Sequence, residues 1–461
     1  MKKLISLILT FALVLACAAA GADAASAKVV DPEAKRNIKI SKAGSNEAPA
    51  GYSPTTGRSF EEVYQEFISE DSDYAGENAN WDGWAVSGQY YPVLVLHTGI
   101  NGAVQYGAPF YGKTADIYYE IPKYSPGVAR LLMLFNDVLP SFAGASRSLR
   151  VQYLFIRQEW NAPLFFQGTQ DKDFSSKYHT DCGYFISRFK LPNSWNKVAD
   201  NTRMTFNGAD GGKAHLAYKY RFQKYADQAN VLWDLAAAKR EFLGDRTEAL
   251  KNYNHTLKFG EMPAEGDDAE TVYVYFNTGK VYEAKDSSEG TTYINSMYSW
   301  DEAEGQYYRY MITNLDNPDS NAIPFTEQRL SNTTPTGPLS GGSATSAGLG
   351  LKGDVTVMDE EDGAITFSNI IVQHIGMHWI RSDSPYPELL GTGNADYFIG
   401  GKHYSGVWNR DGYDDRTIFY GEDGSEISLK PGRTIIVMLD SFELDNQDKS
   451  ARNPLRVLKY E

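Results

Sequence analysis

The residue types best suited to chemistry fall close together in the first half of this chain: Arg147-Ser148-Leu149-Arg150, Arg130, and an acidic stretch from Asp116 to Glu120. A guanidinium forks onto a carboxylate or phosphate through two parallel hydrogen bonds. If the three arginines converge, they either bind an anionic ligand or neutralise Asp116 and Glu120 inside the fold, since buried charges are ordinarily paired. The two carboxylates also suit acid–base work, provided their surroundings drive the two pKa values apart.

Other patterns are weaker. Gly348-Leu-Gly350-Leu-Lys-Gly353 spells a dinucleotide fingerprint, but it follows a low-complexity loop and precedes a strand, where the pyrophosphate needs a helix N-terminus. His374 and His378 have the spacing of a helical zinc site, yet Phe367 to Ile380 reads as a strand, on which they stand about 13 Å apart. Asp411, Asp414 and Asp415 miss the calcium-loop spacing and read as a solvated turn. No metal or cofactor is therefore expected. Cys182, near His179, reads as a small buried side chain rather than a nucleophile. Hydrolase elbows and Walker loops are absent, which leaves catalysis undecided. The 31 Tyr and 8 Trp either furnish stacking platforms for sugar rings or simply suit strands.

The elements that must position these residues follow from periodicity. Ser59 and Glu62 form a capping-box pattern ahead of Phe60, Val63, Tyr64 and Phe67 at helical spacing. Tyr91–Leu96, Ala115–Glu120 and Arg130–Phe135 read as buried strands, and the segment through Ile156 as a helix packed on them. Tyr225, Ala229, Leu232 and Ala236 mark a further helix, broken at Gly244, with a fresh capping box at Asp245 and Glu248. Alternation in Val272–Phe276 and turn signals such as Glu422-Asp423-Gly424 make the remainder β-rich. The expected fold class is α+β: an N-terminal α/β domain over 59–220, a helical spacer over 221–256, and a β-rich C-terminal domain over 257–445 with a low-complexity insert at 331–350.

Lys2 and Lys3 precede an apolar run from Leu4 to Ala16, the layout of a signal peptide and too short for a membrane span. Val14-Leu15-Ala16-Cys17 resembles a lipobox, which makes residues 1–17 the leader, Cys17 the lipidated residue, and 18–58 a flexible tether. Ala22-Asp23-Ala24 and Ala25-Ser26-Ala27 offer the alternative, cleavage and release. The chain is thus expected to be exported, either anchored by lipid on the outer face of the cell membrane or secreted. A formal charge of −15 over 461 residues argues against nucleic acid.

These segments resemble the DUF3048, YerB-like family of uncharacterised bacterial envelope lipoproteins, from about Tyr91 to Asp440. The matched pieces in the first half are Pro92, Gln105, Gly107, Ala115 to Glu120, Arg130, Phe135, Pro140, Gly144 and Arg147-Ser148 with Arg150. The second half matches in Tyr298-Ser-Trp-Asp301, Tyr308-Arg309, Asn369 to Gln373, Gly391-Thr-Gly393, Gly400-Gly-Lys402, Gly406-Val-Trp408, Thr417 and Leu429-Lys-Pro-Gly432. An Asp-Asn pair expected near Leu96-His97 is missing, and Pro126-Gly127-Val128-Ala129-Arg130 replaces a Gly-Gly-Ile-Thr-Arg-like stretch. The resemblance implies two adjoining family domains, lipid attachment and an envelope role, without a reaction. Combined with the arginine cluster, it makes Arg130, Arg147, Ser148, Arg150, Asp116, Glu120 and Gln105 the expected ligand site, for a cell-wall polymer or envelope protein. The rivals are an enzyme acting on envelope glycan or peptide, with Asp116 or Glu120 as acid or base, and a secreted glycan-binding module with Trp81, Trp84 or Trp408 exposed in a row.

Overall fold

The computed structural model describes residues 27–41, 47–68, 88–97, 109, 111–124, 128–140, 142–146, 148–166, 168–170, 172–173, 175, 177–191, 205–207, 217–219, 231–244, 255–276, 295–312, 322–326, 328–330, 355–357, 364–381, 384–446 and 457–461. The expected strands and helices form where apolar residues recur. Val93–His97, Ile117–Tyr124 and Val128–Phe135 are strands, and Val151–Trp160 is a helix. The Phe60–Ile68 helix begins with the capping box that Ser59 and Glu62 encode: the Glu62 amide donates to Ser59 Oγ at 3.1 Å and the Ser59 amide to Glu62 Oε2 at 3.2 Å.

One large sheet runs through both halves of the chain. Its path is Asp267–Asp268, Lys402–Arg410, Gly391–Ile399, Asn369–Arg381, Thr434–Asn446, Ile117–Tyr124, Val128–Phe135, Val93–His97, Phe142–Ser146, Val231–Asp234 and Ala217–Lys219. At its middle, Thr434–Val437 pairs parallel with Ile117–Glu120, so the last long strand completes the first-half sheet. A second sheet, with Val457–Tyr460, Thr271–Tyr275, Asn295–Asp301 and Gln306–Ile312 in succession, packs on one face of the first. The helices Val151–Trp160 and Cys182–Arg188 cover the other face. The architecture is α+β with a β-rich C-terminal region, and its two halves share one sheet rather than standing apart.

Alternation along the Ile117–Tyr124 strand decides which layer each side chain enters. Ile117, Tyr119 and Ile121 join the core under the helices, with Leu132, Leu134, Leu154 and Phe155. Tyr118 faces the second sheet, in the core that holds Leu131, Met133, Val272 and Tyr298.

Two expectations change. The segment assigned to a tether over 18–58 is held on the fold across 27–41 and 47–58. Lys28–Val29 adds a strand beside Val457–Tyr460, the Val30 amide donates to Leu458 O at 2.9 Å, and Asn394 Nδ2 donates to Pro32 O and Ala34 O. The helix expected from Tyr225, Ala229, Leu232 and Ala236 is instead a strand over Val231–Asp234, paired with Phe142–Ser146, and among the described residues of that segment only Leu235 to Leu243 is helical. Sheet pairing outweighs local propensity there. Tyr225, Ala229, Asp245, Glu248 and the 331–350 insert lie outside the described residues. Among the described residues, no helix is long and apolar enough to cross a membrane.

Candidate functional site

The acidic strand sits at the centre of the fold, and its Glu120 carboxylate faces the second sheet. Glu120 is buried and accepts from Arg309 Nη2 at 2.6 Å, Ser296 Oγ at 3.0 Å and Tyr298 OH at 3.0 Å. Its partner Arg309 comes from the facing sheet, with Cζ 4.5 Å from the Phe325 ring centroid. Arg309 Nε and Nη1 are buried without hydrogen-bond partners among the described residues. Burial, followed by the neighbouring charge of Glu120, pushes the Tyr298 phenol well above its ordinary pKa, so it stays a donor to Glu120.

Asp116 lies at the opposite end of the same strand, just before Ile117. Its Oδ2 accepts from Thr55 Oγ1 at 2.7 Å and from the amides of Asn136 and Asp137, both at 2.9 Å. Asp137 is clasped in turn by Ser53 Oγ and Thr56 Oγ1, both at 2.5 Å. Burial first, and then the charge of Asp137, raise the Asp116 carboxyl well above the usual carboxylate range, and burial raises Asp137 as well. Both carboxyls are thereby biased towards the protonated form, and together they fasten the 53–56 loop to the sheet.

The arginines occupy the other layer. Arg130 is the cross-strand partner of Ile121, so it points to the helical face, away from Glu120. There Arg130 Nη1 donates to Ser148 O at 2.5 Å, and Arg150 Nη1 to Leu149 O at 2.9 Å, at the amino end of the Val151–Trp160 helix. The expected convergence of Arg130 and Arg150 with Asp116 and Glu120 is therefore not formed; a pleated strand cannot place adjacent residues on one face. Arg147, Gln105 and Cys17 lie outside the described residues, as do Trp81, Trp84 and Gly348 to Gly353. Trp408 is buried, with Nε1 donating to His374 O at 2.8 Å.

A second charged centre has no counterpart in the sequence reading. Asp396 accepts from His374 Nε2 at 2.7 Å, His403 Nε2 at 2.8 Å and Arg36 Nη2 at 3.0 Å. Arg36 Nη1 also donates to Ala395 O and Gly406 O, so one guanidinium ties the N-terminal segment to the Gly391–Ile399 and Lys402–Arg410 strands. Burial opposes ionisation of Asp396, but the hydrogen bonds from His374 and His403 and the charge of Arg36 outweigh it and hold the carboxyl well below the usual range. Asp396 and His403 line a cleft of 760 Å³ with Lys28, Arg36, Ser405 and Tyr460. His378 takes a different carboxylate, Glu388, at 2.8 Å, so the two strand histidines share no ligand. Among the described residues no cluster of three or more His, Cys, Asp or Glu has metal-binding geometry. Cys182 is buried, and His179 turns to Asp173, with Nδ1 2.8 Å from Oδ2.

Residues 350–436 match the model of a protein of unknown function (DUF3048), C-terminal domain. The structure resembles the crystal structure of the YerB protein from Bacillus subtilis, with a TM-score of 0.50 and 15% sequence identity, covering 88% of this chain and 99% of that one. The two share a fold. Among curated proteins none matches the sequence. The domain match and the shared fold bear out the DUF3048, YerB-like assignment.

Proposed function

We propose that this DUF3048, YerB-like chain is an exported cell-envelope lipoprotein, anchored through Cys17, that binds a wall component or protein partner rather than transforming it. The observation that carries the reading is the state of Glu120: a carboxylate held by an arginine, a serine and a tyrosine in the core has no route to a substrate. Asp116, bound to the 53–56 loop and Asp137, is equally committed. This reading assigns the anion site to Arg130 and Arg150, which are largely buried and donate to Ser148 O and Leu149 O, beside the first turn of the Val151–Trp160 helix, whose dipole adds positive potential.

Two measurements test it. Cells fed an alkyne fatty acid should label the wild-type protein and not Cys17→Ala, and titration with solubilised wall fragments should give binding that Arg150→Ala weakens. Full-length protein in the cytosol with its leader intact overturns the envelope role. Unchanged affinity in both Arg130→Ala and Arg150→Ala discards the arginine site. A second reading, an enzyme acting on envelope glycan or peptide, draws support from His403, which lines the cleft with Nε2 on Asp396 and so has the makings of an oriented general base. Loss of wall-fragment turnover in His403→Gln, with binding retained, would favour it.

A further inference from the structure

The helix Cys182–Arg188 presents Tyr184 and Arg188 one turn apart on its outer face, and both are exposed. Tyr184 is stacked on His179, ring centroids 3.6 Å apart and planes 14° apart, and His179 is fixed by Asp173. Its ring is thus oriented before any ligand arrives, with 36% of the residue still open to solvent. Arg188 lies over the ring of Tyr413, Cζ 5.7 Å from the centroid. Tyr413 in turn meets Tyr386 hydroxyl to hydroxyl at 3.3 Å. Buried Phe155 and Phe185 lie beneath Tyr386 and Tyr413, and Phe185 meets Tyr184 edge-on with ring centroids 5.0 Å apart, which links the three tyrosines through one aromatic floor.

Charge singles out the same place. Among the described residues Arg188 makes no ion pair and no hydrogen bond, in a chain where 59 acidic residues outnumber 44 basic ones. Acidic residues stand nearby in the sequence, Asp173 and Asp181 before the helix and Asp411, Asp414 and Asp415 around Tyr413, yet none of them pairs with Arg188. A protein with excess acid that keeps an unpaired guanidinium on an aromatic surface has the complement of an anion attached to a flat, partly apolar ring.

We propose that Tyr184, Arg188 and Tyr413 form a subsite for an acidic glycan, with a sugar ring stacked on the tyrosine face and its anionic group forked by Arg188. The site rests on the wall-binding reading above and names its ligand class. The anion is either a ring carboxylate or a phosphodiester, and the two are separated by experiment.

Calorimetric titration of the mature protein should use three probes: carboxylated glycan fragments from a glycosidase digest of cell wall, poly(glycerol phosphate) carrying N-acetylglucosamine substituents, and uncharged N-acetylglucosamine oligomers. One of the two anionic probes should bind. Tyr184→Ala and Arg188→Ala should each weaken it about tenfold, whereas Tyr184→Phe, which keeps the stacking face, should stay close to wild type. Arg188→Lys should not restore affinity if the fork is bidentate. The uncharged oligomer should bind more weakly than the anionic probe and be indifferent to Arg188→Ala. Because Tyr184 and Arg188 are exposed, their variants should melt at the wild-type temperature. Wild-type binding that both alanine variants leave unchanged overturns this site while sparing the wall-binding reading. Binding to none of the three probes overturns the glycan assignment, and a cytosolic location, measured separately, overturns the envelope reading.

Discussion

Arg309→Met is the sharpest perturbation, because it asks whether Glu120 ties the two sheets together or waits for a substrate. Arg309 Nη2 lies 2.6 Å from Glu120 Oε1, with side-chain exposures of 0% and 1%. Removing the guanidinium leaves the buried Glu120 carboxyl without its cation, held only by Ser296 and Tyr298, and breaking a buried pair in this way costs about 3–5 kcal/mol. With a urea slope of about 3 kcal/mol per M, the unfolding midpoint should fall by about 1–1.7 M. The double variant Glu120→Leu/Arg309→Met removes both charges. Its remaining penalty is the lost acceptor for two buried hydroxyls, about 1–3 kcal/mol each at most, offset by the two avoided desolvations. The double variant should therefore be more stable than Arg309→Met alone, with coupling of at least about 2 kcal/mol. Urea unfolding followed by tryptophan fluorescence measures all three proteins. A cost below about 1 kcal/mol for Arg309→Met, or strictly additive effects, would refute the tie.

The pH dependence has two arms of opposite sign. The folded Asp116 carboxyl is raised above its unfolded value of about 4, so its contribution to stability is complete below that value and is lost as pH climbs through the folded pKa. Asp116→Asn should flatten the fall in Tm as pH rises above about 4, and an unchanged profile counts against the carboxyl pair. Asp396 is depressed, so its stabilisation is present above the ordinary carboxylate range and lost in acid; Asp396→Asn should lower Tm at neutral pH and remove that acid-linked loss. Arg36→Met should cost about 3–5 kcal/mol by leaving Asp396 short of a cation, and trypsin should then cut faster at Lys35 and Lys39; cleavage at the wild-type rate argues that the N-terminal segment is held by other contacts. Residues 255–461 expressed alone should aggregate, because Thr434–Asn446 loses its partner and exposes an edge carrying Ile435 and Val437. A monomer that melts cooperatively in size-exclusion and circular-dichroism measurements contradicts this.

Local patterns were legible wherever a few neighbouring residues determine the outcome. The Ser59–Glu62 box is self-contained, and the runs at Val93–His97 and Asn369–Arg381 are apolar enough to be buried strands in any context. Reading His374 and His378 as strand residues correctly separated them, and each found its own carboxylate. What stayed hidden depends on register between distant segments. Glu120 and Arg309 are 189 positions apart and Arg36 and Asp396 are 360 apart, and no spacing within one strand encodes such a pairing. The helix expected around Leu232 failed for a related reason: its residues tolerate either conformation, and the strands on both sides decide.

The division into an N-terminal and a C-terminal part therefore describes composition better than mechanics. The Thr434 amide donates to Asp116 O at 3.0 Å, and Arg433 reaches Ala115 O at 2.8 Å, so the final long strand is stitched to the acidic one at the point where the 53–56 loop is fastened. Glu120, three strands into the first half, is neutralised by an arginine from the second sheet. Charged side chains at such junctions cannot exchange partners for a ligand without loosening three layers, since each is buried and already holds a strand, a loop or a sheet. A ligand subsite of the kind proposed above needs a charge that is not already committed to such a junction. Arg188, which rests on a tyrosine ring at the rim of the helical layer, meets that condition, whereas Arg309 at the centre serves the fold.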